Sequence, residues 1–150
     1  ARHHGLTQFI SSQPEYSMLE RGAERAVLPV CEEFGLGTLP YFPLAHGFLT
    51  GKYRRNEAVP DNTRLAHTPA AQEKRLSEAN FDILDQLEVF VEKRGHTMAE
   101  LAFAWILARK SVGSVIAGAS TADQIRQNAA AAEWELTSDE MDELTGILDG

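Results

Sequence analysis

The sequence predicts an α/β protein built on a parallel sheet. Two observations point there. Short β-rich runs alternate along the 150 residues with segments whose apolar residues recur at helical spacing. Each of three such runs then breaks at Pro or Gly-Ala-Ser rather than at a tight hairpin turn. Strands alternating with helices imply right-handed crossovers and parallel neighbours. Helices on one face would make a barrel, and helices on both faces a doubly wound sheet. Three strands cannot close a barrel by themselves, but the length suffices for one domain with a sizeable core.

In chain order, "TQFISSQ" (7–13) reads as a first strand that stops at Pro14. "AERAVLPVCEEFG" (23–35) places Ala26, Val27, Val30, Cys31 and Phe34 on one helical face and stops at Gly35. "GTLPYF" (37–42) is a second strand. Residues 42–69 keep no period and exceed the usual connection of roughly 2–6 residues, which marks a functional loop. "AAQEKRLSEANFDILDQLEVFVEKRG" (70–95) reads as one long helix carrying Leu76, Phe81, Leu84, Leu87 and Val91, with Gly95 as its stop. Thr97 with Glu100 forms a capping box ahead of "AELAFAWILARK". "SVGSVIAGAS" (111–120) is a third strand. Thr121 with Gln124 caps "ADQIRQNAAAA", and Thr137 with Glu140 caps a final helix after the extended "EWEL".

Charge and composition narrow the class. A net charge of −8 and a pI near 5.1 argue against nucleic acid or an anionic membrane surface as partner. No apolar run approaches the ~20 residues that span a bilayer, and no signal peptide is expected. Cys31 is the single cysteine, expected as a buried thiol in a reducing compartment. A cytoplasmic protein is the expectation.

In parallel α/β sheets, ligands bind beyond the C-terminal ends of strands. Gln13, Tyr41 and "GASTADQIRQN" (118–128) all fall there. From Gly118 a strand runs through Ser120 into a capped helix, so backbone N–H groups and the helix dipole favour phosphate. Gln124 and Asn128 lie one turn apart and could pair with a heterocycle. Tyr41 could stack on a flat ring, and Pro43 is expected to hold Phe42 extended. Gly47 and Gly51 allow close backbone approach; Lys52 supplies a point charge and Arg64 a planar fork. Gln13 matches a carboxamide. Each has a plain structural reading too: core packing for Tyr41, solvated charge for the cations, a simple helix cap for Thr121 and Gln124. Together they match the needs of a nicotinamide dinucleotide carrying an extra phosphate.

"SSQPEYSMLER", "LGTLPYFPLAHGFLTGKY" and "VIAGASTADQIRQNAAAAEWELTSDEMDEL" resemble, in order, the C-terminal half of an aldo-keto reductase, close to bacterial members related to the potassium-channel β subunit. The resemblance implies that residues 1–150 are the C-terminal part of one (β/α)8 TIM barrel, with about three parallel strands, surrounding helices and NADP(H) at the mouth. Gln13 would then contact the nicotinamide carboxamide and Tyr41 its ring. Pro43, Leu44, Gly47 and Lys52 would line the pyrophosphate. Phe42 stands there in place of the family's usual serine. Arg64 would meet the 2′-phosphate; Ser120, Gln124 and Asn128 would hold the 2′-phosphate and adenine end, with Gln127 replacing an acidic residue. The family's catalytic Asp, Tyr, Lys and His lie on the first half of the barrel, so none is assigned among these residues, and no metal is expected. The implied activity of the whole is NADP(H)-dependent reduction of aldehydes or ketones to alcohols, this half being inactive alone. The implied partners are a small carbonyl substrate and either the missing N-terminal half or a second copy. A non-catalytic, nucleotide-sensing subunit is the alternative, and an open α/β domain without a nucleotide site is a third.

Overall fold

A computed structural model describes residues 2–150. At its centre β1 (Ser11–Ser12) pairs in parallel with β2 (Gly37–Thr38), Ser11 opposite Gly37 and Ser12 opposite Thr38. Bridge pairs lengthen this sheet. Glu15 aligns with Tyr41 on one side, while Val112 and Ile116 align with Thr38 and Tyr41 on the other, all in parallel. The third extended segment therefore lies beside β2, tied by Thr38 N–H to Ser111 O at 2.7 Å and Ile116 N–H to Pro40 O at 2.8 Å. The structure is α/β with a small parallel sheet. Regular pairing covers less of each strand than expected, and the first strand line continues past Pro14 because the Pro14 carbonyl still accepts from Tyr41 N–H at 3.1 Å.

The described residues form six α-helices: α1 (Val27–Phe34), α2 (Pro69–Arg75), α3 (Glu78–Glu92), α4 (Met98–Leu107), α5 (Ala122–Ala130) and α6 (Ser138–Asp149). Helix α4 is apolar nearly all round and is buried from Leu101 to Ile106. It packs on α3, which packs on α6, and Trp105, Phe90, Leu84, Leu87, Leu101 and Leu144 fill the space between. Tyr16 joins from the end of β1, its ring 5.1 Å from Trp105. Both capping boxes form, Thr97 with Glu100 and Thr137 with Glu140. Gly35 closes α1 at φ 65°, a conformation open to glycine.

Two expectations are corrected. The helix over 70–95 is two helices. Ser77 caps α3 by accepting from Asn80 N–H at 3.3 Å, while the Asn80 amide donates to the carbonyls of Lys74 and Arg75 and closes α2. On α1 the buried residues are Leu28 and Cys31; Val27, Val30 and Phe34 face outward. Val27 and Val30 instead line an open apolar cavity of about 490 Å³ with Phe9 of the unpaired β1 edge. The long loop of residues 42–69 holds short helical turns at Ala45–Thr50 and Leu65–His67.

Candidate functional site

The register of the sheet sets Glu15, Tyr41 and Ile116 level with one another at the strand ends. Tyr41 stays 36% exposed, with its ring edge-on to Phe42 at 5.1 Å and 75°. Phe42 is not extended as expected; its φ is 56°. Pro43 disfavours the right-handed helical region for the residue before it, and left-handed backbone is the way out taken here. Contacts hold the ring there: His46 lies 4.2 Å away and the Arg64 guanidinium 5.6 Å away. Arg64 also reaches the third strand end. A Cβ added to Gly118 would come within 3.9 Å of its terminal nitrogen. One side chain thus bridges the long loop and the "GAS" turn.

Beyond Phe42 the chain reverses through Ala45, His46 and Gly47, with φ of 46°, 61° and 88°. Backbone strain at consecutive non-glycine residues is costly and concentrates at ligand-binding positions. Lys52 lies across Gly47, where a Cβ would stand 2.9 Å from its ammonium nitrogen and 3.8 Å from the Tyr53 hydroxyl. Among the described residues neither Lys52 nor Arg64 has a carboxylate within ion-pair distance. Their neighbours do. Arg54 pairs with Glu88 at 2.8 Å, and Arg55 faces Asp82 at 2.9 Å, Asp85 at 3.0 Å and Glu78.

Below this loop Arg75 is 2% exposed, donates to Glu15 at 3.0 Å and to the Leu19 carbonyl at 3.2 Å, and so ties α2 to the end of β1. The Nδ1 atom of His46 is buried without a partner among the described residues. Burial lowers its pKa first, and the cations Arg75, Arg64 and Lys74 lower it further against an opposing effect of Glu15. Sequence reasoning missed His46, Tyr53 and Arg75. Gly47 directly after His46, with Gly51 four residues on, was the available signal for a tight turn there; nothing local marks Arg75, whose partners lie 56 and 60 residues away.

The remaining candidates are placed as follows. Pro43 is buried and Leu44 packs on the core, so both shape the loop from beneath. Gln13 is exposed just past β1. Thr121 caps α5 by accepting from Gln124 N–H at 3.2 Å. The Gln124 side chain accepts from Ser120 N–H at 2.6 Å, so the amide expected to meet phosphate is already paired. Gln127 is exposed. Asn128 is half-buried and lines a cavity of about 280 Å³ with Phe103, Ile125, Ala117 and Ala119, the last two flanking Gly118 at the third strand end. The structure brings Tyr41, Phe42, Arg64 and Gly118 together beside the Gly47–Lys52 turn, and Asn128 shares a cavity with Ala117 and Ala119 on either side of Gly118. Among the described residues no group of three or more His, Cys, Asp or Glu side chains could hold a metal ion.

A profile of the Aldo/keto reductase family matches residues 1–149. The chain belongs to that family. It is 33% identical to an L-glyceraldehyde 3-phosphate reductase of Escherichia coli O157:H7, over 86% of this chain and 38% of that protein. It is 32% identical to a putative voltage-gated potassium channel subunit beta of Schizosaccharomyces pombe, over 97% of this chain and 45% of that one. The solved structure of a glycerol dehydrogenase from Gluconobacter oxydans superposes with a TM-score of 0.76 at 28% identity, covering 92% of this chain and 42% of that chain. The chain therefore spans less than half the length of these relatives. No helix among the described residues is long and apolar enough to cross a membrane.

Proposed function

We propose that residues 1–150 are the NADP(H)-binding part of a single aldo-keto reductase barrel, and that the whole protein is an oxidoreductase reducing aldehydes or ketones to alcohols. The observation that carries this reading is the pair Lys52 and Arg64. Both are exposed and free of carboxylates among the described residues, one lying on Gly47 and the other between Phe42 and Gly118. Cations so placed beside left-handed backbone and a strand end suit phosphate groups. The fit extends to Tyr41, whose half-open ring can stack on a flat heterocycle, and to Gln13, whose amide can pair with a carboxamide. Ser120 offers its N–H once the Gln124 side chain turns away. Asn128, on the cavity beside Ala117 and Ala119, offers a side-chain amide to an adenine.

NADP(H), when bound, supplies the hydride that reduces the carbonyl. The residues present bind and orient; we assign none of them the proton. A phenol that donates a proton near neutrality needs a lowered pKa, whereas burial and then the Glu24 hydrogen bond push the Tyr16 phenol up. Phe9 and Ile10, just ahead of β1 and 84% and 85% exposed, suit a barrel whose preceding strand, or a second copy, covers the side of β1 that has no neighbour among the described residues. A nucleotide-sensing subunit would use the same cofactor residues.

Titration of the chain with NADPH and NADH tests the reading. NADPH is expected to bind more tightly, and Arg64→Ala to weaken NADPH by roughly 10- to 150-fold with little change in NADH, as loss of a charge-assisted phosphate contact implies. Equal weakening of both cofactors would remove Arg64 from the 2′-phosphate.

A further inference from the structure

We propose that the Tyr53 hydroxyl is a phosphate-binding group acting with Lys52 across the Gly47 turn, a role that rests on the dinucleotide reading of the same site. Tyr53 is 2% exposed, and its hydroxyl has no hydrogen-bond partner among the described residues. Buried tyrosine hydroxyls ordinarily find one. The ring cannot turn away to seek it, being parallel to Phe48 within the core, at 6.3 Å and 11°. A partner must come to the hydroxyl. The point beside Gly47 is where it would arrive. A Cβ there would lie 3.8 Å from the hydroxyl and 2.9 Å from the Lys52 nitrogen, so two donors converge beside Gly47, where only the movable Lys52 head stands in place of a side chain.

The ligand chemistry follows from the pair. An ammonium without a carboxylate and an unpaired phenol call for an anionic oxygen that accepts from both, and a phosphate does so. Lys52 currently covers the spot, with its nitrogen 5.2 Å from the Tyr53 ring centre. Its stem is flexible and its head is in solvent, so an arriving anion draws the ammonium outward and uncovers the phenol. The phosphate could belong to a dinucleotide or be free. A rival is a lone water, since a cavity of about 20 Å³ beside Lys52, Tyr53 and Pro60 is large enough for one.

The test is titration of wild type and Tyr53→Phe with NADPH and with inorganic pyrophosphate, alongside NMR of ring-labelled tyrosine in the wild type. The expected result is about 10-fold weaker binding of both ligands by Tyr53→Phe, and a pyrophosphate-dependent shift of the Tyr53 resonance. Unchanged affinities with no shift overturn the proposal and leave a water as the partner, while NADPH binding by that same protein keeps the dinucleotide reading. A Tyr53 shift with pyrophosphate but no NADPH binding sinks the dinucleotide reading and sustains a phosphate site. If Tyr53→Phe fails to fold, the wild-type resonance decides alone.

Discussion

From Lys52 to Arg64, one loop carries two kinds of cation. Arg54 and Arg55 reach back onto the acidic side of α3, where Glu88, Glu78, Asp82 and Asp85 receive them. Lys52 and Arg64 flank them in sequence and meet no carboxylate among the described residues, lying instead on Gly47 and between Phe42 and Gly118. A protein with a net charge of −8 has carboxylates to spare. Two cations left without them, at the edges of a strained turn, point to an anion from outside. The difference separates charges that hold the loop from charges that serve the site.

The floor beneath both kinds is the α3–α4–α6 core, and breaking it should have the largest effect. Leu101 is 0% exposed, so Leu101→Ala is expected to cost roughly 2–5 kcal/mol, read by urea denaturation. Loss of less than ~1 kcal/mol would show that the helices are not the rigid support assumed for the loop.

Less costly is the release of the loop. Arg55→Ala removes contacts to three carboxylates, all exposed, so the melting temperature should barely move. Cleavage by trypsin after Arg54 should quicken, and about 1 M salt should mimic the substitution because exposed pairs are screened. Salt-independent cleavage in the wild type would put the restraint in packing, with the Arg55 guanidinium 5.5 Å over the Phe81 ring as the prime contact.

The smallest effect concerns a paired cation outside the loop. Arg94 donates to Glu140 at 2.9 Å. The Thr137 backbone N–H holds the Glu140 pKa below the ordinary value, with Arg94 adding to it and burial opposing. A carboxylate with a depressed folded pKa stabilises above its unfolded value, and the contribution disappears as pH falls through the folded one. Melting temperature should therefore drop below about pH 4.3, and less steeply in Glu140→Gln, which keeps an acceptor for the cap. Identical profiles would remove Glu140 from the acid transition.

Much of this was legible in the sequence, and for specific reasons. Thr97 with Glu100 and Thr137 with Glu140 form reciprocal caps whose spacing is itself the signal, and both form. Ser77 was invisible because its third residue is Asn80, which turns back to the carbonyls of α2 instead of completing a box. The outward face of α1 was misread because Val27, Val30 and Phe34 have core-like spacing, yet among the described residues no further strand lies beside β1 to cover them. At the site, Tyr41, Gly47, Lys52 and Arg64 were readable as residue types suited to a flat ring and phosphates. Their company was not. His46 against Phe42, Tyr53 behind Lys52 and Arg75 beneath Glu15 depend on left-handed backbone and distant pairing that no local pattern records.

The division of the loop's cations is tested most directly by NADPH affinity in two double variants. Lys52→Ala with Arg64→Ala removes the unpaired cations; Arg54→Ala with Arg55→Ala removes the paired ones. The account predicts a loss on the order of 100-fold or more for the first, from two charge-assisted contacts, and a change of only a few-fold for the second. Equal losses, or the larger loss in the second, would contradict it.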